Sequence, residues 1–167
     1  MIIIFVQRLL GAKAGTKLGD LHAIHFEPKG VVAVHPSTRT YAAFHHLLEN
    51  KVSAVAVVDI EKSGNKKFLG SLSANMVKGL NKNNLHLLVK PVLEYIKEAT
   101  PKGCEGVDSD EFATPCTTLL EALQKLSRSG RHRLWIVDND NDRNLLGVLS
   151  LTDIIGSVVQ IGPGEMA

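Results

Sequence analysis

The sequence predicts a mixed α/β (α+β) fold assembled from two like halves. Three observations carry that prediction: an internal repeat, a common order of apolar runs in both halves, and an ordinary globular composition. Hydrophobic residues make up 44% and charged residues 22% of the 167 positions, so the chain can bury a core and is neither low-complexity nor collagen-like. Shifting the chain by 79 positions lays Pro36 on Pro115 and Asp59 on Asp138 without a gap. Thr38 and Thr117, Ala43 and Ala122, Leu47 and Leu126, and Val58 and Val137 coincide in the same shift. Past a turn two residues shorter in the second copy, Gly70-Ser-Leu-Ser73 falls on Gly147-Val-Leu-Ser150.

In chain order, the apolar Met1-Ile-Ile-Ile-Phe-Val6 reads as a strand or packed arm. Arg8, Lys13 and Lys17 follow it, whereas a signal peptide places its positive charge first. Residues 7–34 carry little signal, although Thr16–Leu21 is suited to lead into the first copy. Tyr41, Phe44, Leu47 and Leu48 follow helical spacing, with Thr38 where an N-cap would fall. Val55-Ala-Val-Val58 reads as a buried strand, Asp59 to Asn65 with Lys62 to Lys67 as a solvated hairpin, and Leu69 to Leu72 as the next strand. A short helix then begins at Ser73.

Leu85, Leu88, Val89, Val92, Leu93 and Ile96 mark an amphipathic helix, kinked by Pro91 or restarted there, and Thr100 to Asp110 is a linker. The second copy repeats the order. Leu119, Ala122, Leu123 and Leu126 form the helix behind Thr117, Leu134-Trp-Ile-Val137 and Leu146 to Leu149 the strands, and a helix starts at Ser150. Trp135 sits in a strand run and reads as core or dimer interface. The division expected is a first repeat over 18–80, a connecting helix and linker over 81–110, and a second repeat over 111–161, each repeat reading strand-helix-strand-strand-helix.

Lys and Arg outnumber Asp and Glu by only 19 to 17, so net charge gives no broad attraction to nucleic acid or anionic lipid. RNA binding finds support only in scattered basic residues, and no apolar run reaches the ~20 residues of a membrane span. Cys104 and Cys116 form neither a disulfide framework nor a CxxC site. The expected setting is reducing and intracellular, cytoplasmic by default with the nucleus left open. The pairs His22/His25 and His45/His46 lack a third ligand at metal spacing, and no GxSxG elbow or glycine-rich phosphate loop is present, so neither a metal nor catalysis is expected.

The strings Gly147-Val-Leu-Ser-Leu-Thr-Asp-Ile154 and His132-Arg-Leu-Trp-Ile-Val-Asp138, set in a tandem repeat from Leu18 to Ile161, resemble a pair of CBS domains, the Bateman module. The second string is similar to repeats of the gamma regulatory subunit of AMP-activated and SNF-type protein kinases, which carry four repeats where this chain has two. The resemblance implies two repeats packed sheet to sheet with pseudo-two-fold symmetry. It also implies a non-enzymatic regulatory module that binds AMP, ADP or ATP in a cleft between repeats, needs no cofactor, pairs as a homodimer or with another CBS module, and signals to a partner such as a protein kinase.

Ser150, Thr152 and Asp153 lie where a strand hands over to a helix, so free N–H groups and the positive helix end favour an anion there. The resemblance gives Asp153 the ribose diol, whose two O–H donors a carboxylate can accept, and places the Ser150 and Thr152 hydroxyls near ribose or phosphate. The alternative reading of Ser150 and Asp153 is a capping box. Arg131, His132 and Arg133 form a basic cluster suited to phosphate, with a solvated turn as the alternative. The first copy breaks both features, with Met76 at the position of Asp153 and Val52-Ser-Ala54 at that of the cluster. A second expectation is therefore a ligand-free interaction module acting as an adaptor for a kinase or another partner.

Overall fold

Two three-stranded sheets, one per repeat, organise the chain in a computed structural model that describes residues 11, 14–21, 31–62, 64–99 and 109–159. The expectations for Met1–Val6, His22/His25, Cys104 and most of the Thr100–Asp110 linker fall outside the described residues. Contacts divide the chain into two compact units, one from the described residues of 29–108 and 142–145, the other from those of 1–28, 109–141 and 146–167.

In the unit holding the first repeat, β1 (Ala33–Val34) pairs parallel with β2 (Ala54–Ile60), and β2 pairs antiparallel with β3 (Lys66–Ser73). Helix α1 (Thr40–Glu49) crosses between β1 and β2. The β-branched run Val55 to Val58 is buried, as a continuous apolar strand requires. A bulge between Val57 and Val58 sets Gly70 opposite Val57 at φ +148, a conformation glycine tolerates. The expected closing helix after Ser73 is a 3-10 turn over Ala74–Gly79. Pro91 restarts the connecting helix and does not kink it: a 3-10 turn covers Leu85–Val89 and α2 covers Val92–Ala99. Leu87, Val92 and Tyr95 complete a core with Val34, Ala43, Leu47, Val55, Val57 and Leu72.

The unit holding the second repeat repeats this plan with β4 (Phe112–Ala113), α3 (Leu119–Ser129), β5 (Arg133–Val137), β6 (Leu145–Ser150) and α4 (Leu151–Val159). Its register reproduces the first: Ala33↔Ala56 and Val34↔Val57 correspond to Phe112↔Trp135 and Ala113↔Ile136. The Ala74 N–H donates to the Ser53 carbonyl at 3.0 Å, and the Leu151 N–H to the His132 carbonyl at 3.0 Å. Left-handed residues end α1 and α3 at equivalent places, Lys51 at φ 52 and Gly130 at φ 62. Trp135 is buried, and Leu119, Ala122, Leu123 and Leu126 fill the core with Leu134, Ile136, Leu149 and Ile154.

Three expectations are corrected. Helix N-caps fall one residue later than Thr38 and Thr117, at Arg39 and Thr118. Thr118 forms a capping box with Glu121, while the carbonyls of Thr38 and Thr117 accept from Val92 and Leu18. On α1, Thr40, Ala43 and Leu47 are buried, whereas Tyr41 and Leu48 are 58% and 77% exposed, because the helix turns a narrower face to its sheet than the apolar spacing implied. Thr16–Leu21 does not lead into the first copy. Leu18, fully buried, belongs to the core of the second repeat's unit.

That segment duplicates the restart of the connecting helix. The Val92 N–H donates to the Thr38 carbonyl at 2.8 Å and the Leu18 N–H to that of Thr117 at 2.9 Å. The Thr40 N–H reaches the Lys90 carbonyl at 3.0 Å, and the Leu119 N–H that of Thr16 at 2.9 Å. Each repeat is thus gripped by a strap, Lys90–Leu93 for the first and Thr16–Gly19 for the second. A Cβ on Gly19 would lie 3.3 Å from Pro115, a tight contact at the place where the first strap carries Leu93.

Candidate functional site

The end of β6 and the start of β5 bring the two groups of expected residues to one sheet edge of the second repeat's unit. The Leu151 N–H to His132 carbonyl bond ties the basic cluster directly to the first turn of α4. Ser150 and Asp153 form a reciprocal cap there. Asp153 Oδ2 accepts from the Ser150 N–H at 2.8 Å and from its hydroxyl at 2.7 Å, and the Asp153 N–H donates to Ser150 Oγ at 3.2 Å. The capping reading therefore holds.

Capping does not exhaust the turn. Both Ser150 donors go to Oδ2, so Oδ1 keeps its acceptor capacity, and Asp153 is exposed. Of the first three N–H groups of α4, that of Leu151 goes to His132 and that of Asp153 to Ser150. The Thr152 N–H has no partner among the described residues, and its side chain is exposed. An exposed carboxylate oxygen and an outward N–H on one helical turn offer an acceptor for hydroxyls beside a donor for an anion.

The three basic residues differ in their surroundings. Arg133 opens β5 and is half-buried, and His132 is exposed. Arg131 Nη1 donates to Glu111 Oε1 at 2.7 Å, an ion pair in which the carboxylate side chain is only 7% exposed and the guanidinium 37%. Glu111 is a residue the sequence reading missed. The signal was present in the repeat itself, because the 79-residue shift lays Glu111 on Val32 and Arg131 on Val52, an ion pair where the first copy has two valines.

Among the described residues, Met76 stands at the equivalent edge of the first repeat in the place of Asp153. Ser73 Oγ accepts from the Asn75 N–H at 3.3 Å, Met76 packs against the core, and the buried Tyr95 hydroxyl donates to the Met76 carbonyl at 2.9 Å. Burial raises the Tyr95 pKa above its ordinary value.

Elsewhere in the second repeat's unit, beyond the far ends of β4 and β5, a polar depression of about 400 Å³ is lined by residues that include Thr114, Thr117, Glu121, Lys125, Arg128 and Asp140. None of the expected site residues lines it. Arg128 pairs with Asp110 at 2.8 Å, and that bond lowers the Asp110 pKa. Lys125 Nζ donates to the Phe112 carbonyl at 3.0 Å. His45 and His46 both face Glu49 from exposed positions on α1, and no cluster of three metal-ligating residues able to hold an ion occurs among the described residues. No helix among them is long and apolar enough to cross a membrane.

Comparison with known proteins agrees with this architecture. Residues 108–160 match the CBS domain family model. The chain is 29% identical over 142 residues to "Protein SDS23" of Kluyveromyces lactis, covering 75% of this chain and 27% of that protein. It is 35% identical over 98 residues to "SNF1-related protein kinase regulatory subunit gamma-like PV42a" of Arabidopsis thaliana, covering 56% and 25% of the two. The chain thus spans about a quarter of the length of these relatives. Among solved structures, CBSX2 in complex with AMP aligns over 88% of this chain and 98% of its own, with a TM-score of 0.62 and 24% identity.

Proposed function

We propose that this chain, a CBS-domain protein with the fold of a CBS pair, is a non-catalytic regulatory module that binds an adenine nucleotide through the β5–β6–α4 edge of its second repeat. The observation that carries the reading is the divided duty of Asp153. Oδ2 caps the helix while Oδ1 keeps its acceptor capacity on the same helical turn as the Thr152 N–H, with Arg133 at the start of the adjoining strand and His132 just before it. In this reading Oδ1 accepts ribose hydroxyls, and the Thr152 N–H, the hydroxyls of Thr152 and Ser150, and the basic cluster meet phosphate. Arg131 takes part through its pair with Glu111. No bond is made or broken. The ligand acts by binding one conformation of the module, or of an assembly of modules, better than another, and a homodimer or a kinase complex is the proposed setting. The CBSX2 complex with AMP and the kinase-subunit relative support the choice of ligand and partner.

Calorimetry with AMP and 2′-deoxy-AMP tests the role of Asp153. Charge-assisted bonds are worth about 1.5 to 3 kcal/mol, so the deoxy compound and the Asp153→Ala variant should each bind AMP's site about tenfold or more weakly. Equal affinities would remove Asp153 from the site. A ligand-free adaptor is the second reading, favoured by Met76 and by the full use of Oδ2 in the cap. Under that reading no adenine nucleotide raises the melting temperature, whereas a bound ligand raises it by mass action.

A further inference from the structure

We infer that Glu111 sets the charge of the nucleotide edge and makes it selective for a nucleoside monophosphate over a triphosphate. The inference rests on the nucleotide reading above. Glu111 is the one acidic residue among the buried polar residues described, and it stands immediately before β4, with its carbonyl accepting from the Trp135 N–H at 3.1 Å. Its carboxylate holds Arg131 at 2.7 Å. The pair is an addition to the repeat, because Val32 and Val52 occupy the same places in the first copy and belong to the apolar periphery of its core. An ion pair whose carboxylate is buried gains little in stability over two packed hydrophobic residues, so its presence where the first copy has two valines points to the chemistry of that edge.

The geometry supplies the reason. β4, β5 and β6 are neighbours in that order, and Glu111, Arg133 and Ser150 stand at the same end of the three strands. With neighbouring strands about 4.8 Å apart, Glu111 lies about 10 Å from the first turn of α4. That separation is well within the Debye length at low salt, about 30 Å at 0.01 M, and a buried carboxylate is screened less than an exposed one, so its charge is felt at the edge. Arg131 and Arg133 bring two positive charges, and Glu111 and Asp153 two negative ones. The edge therefore presents directional donors with no net positive field. One phosphate group is served by the Thr152 N–H and the guanidinium of Arg133. The added charges of a triphosphate gain nothing from Arg131, whose positive charge Glu111 offsets.

Replacing Glu111 by a neutral residue adds one positive unit to the edge. Coulomb attraction over about 10 Å then favours a ligand with two further negative charges by about fourfold even at the dielectric of water, and by more near a protein surface. The test is calorimetry with AMP and magnesium-free ATP at low salt on the wild type, Glu111→Gln, Glu111→Val, and the double variant Glu111→Val/Arg131→Val. Glu111→Val and the double variant introduce side chains the first copy already carries, which guards the test against a failure of Glu111→Gln to fold. The wild type should prefer AMP. Both single variants should move the ATP-to-AMP affinity ratio toward ATP by about fourfold or more, an effect that shrinks as salt is raised, and the charge-neutral double variant should return the ratio to that of the wild type. A wild type that binds AMP, with the ratio unmoved in both single variants or moved equally in the double variant, overturns the role of Glu111 and leaves the nucleotide reading standing. A wild type that binds neither nucleotide overturns both.

Discussion

Removing Arg131 alone should harm the second repeat more than removing Glu111 alone, and removing both should harm it least. Arg131→Val removes the paired guanidinium from a carboxylate whose side chain is 7% exposed. Breaking a fully buried pair in this way costs about 3 to 5 kcal/mol, and the partial exposure of the pair brings the expected loss to about 2 to 3 kcal/mol. Glu111→Val leaves a guanidinium that is already 37% exposed and can turn its head to water along an apolar stem, so about 1 kcal/mol is expected. The double variant recreates the Val32–Val52 arrangement and should lie within about 1 kcal/mol of the wild type. The cycle then yields a coupling of about 2 to 4 kcal/mol. Urea unfolding without nucleotide, followed by Trp135 fluorescence, reports on this unit. Single losses that simply add in the double variant would refute the idea that the ion pair replaces an apolar contact.

Two further predictions concern the same unit. Leu18→Ala empties a fully buried position and should cost about 2 to 5 kcal/mol, lowering amide protection in α3 while α1 is unchanged; equal loss in both helices, or none, would contradict the strap. The Glu121 pKa is lowered first by the Thr118 N–H and then by its hydroxyl, so its cap contributes fully above the ordinary value of 4.5 and is lost as pH falls through the lower folded value. Glu121→Gln should therefore be less stable than the wild type at neutral pH, by about 1 kcal/mol, with the gap closing as pH falls below the ordinary carboxylate value of 4.5 in parallel thermal melts.

Much of this was legible from the sequence. The 79-residue shift, which becomes 77 past the shortened turn, shows which residues correspond, and equivalent hydrogen bonds in both units obey it from β1 and β4 to β3 and β6. Continuous β-branched runs give buried strands wherever both faces are covered, so Val55 to Val58 and Leu134 to Val137 needed no tertiary information. Residue spacing was less informative for α1, where Tyr41 and Leu48 belong to the apolar pattern and yet lie at the surface. Capping boxes were half legible: Ser150 with Asp153 is recognisable by spacing, whereas Thr117 and Thr118 are adjacent hydroxyls that only backbone geometry separates.

By itself the sequence determined the duplication, the order of elements in each half and the chemical inequality of the two edges, since each follows from local residue type and spacing. The tertiary structure alone decided which strap closes which half, sending Leu18 to the repeat about a hundred residues downstream, because a short amphipathic segment carries no record of the core that buries it. It also decided that Arg131 faces Glu111. Charge pairing across strands depends on register and burial, and neither is written in the spacing of two residues 20 positions apart.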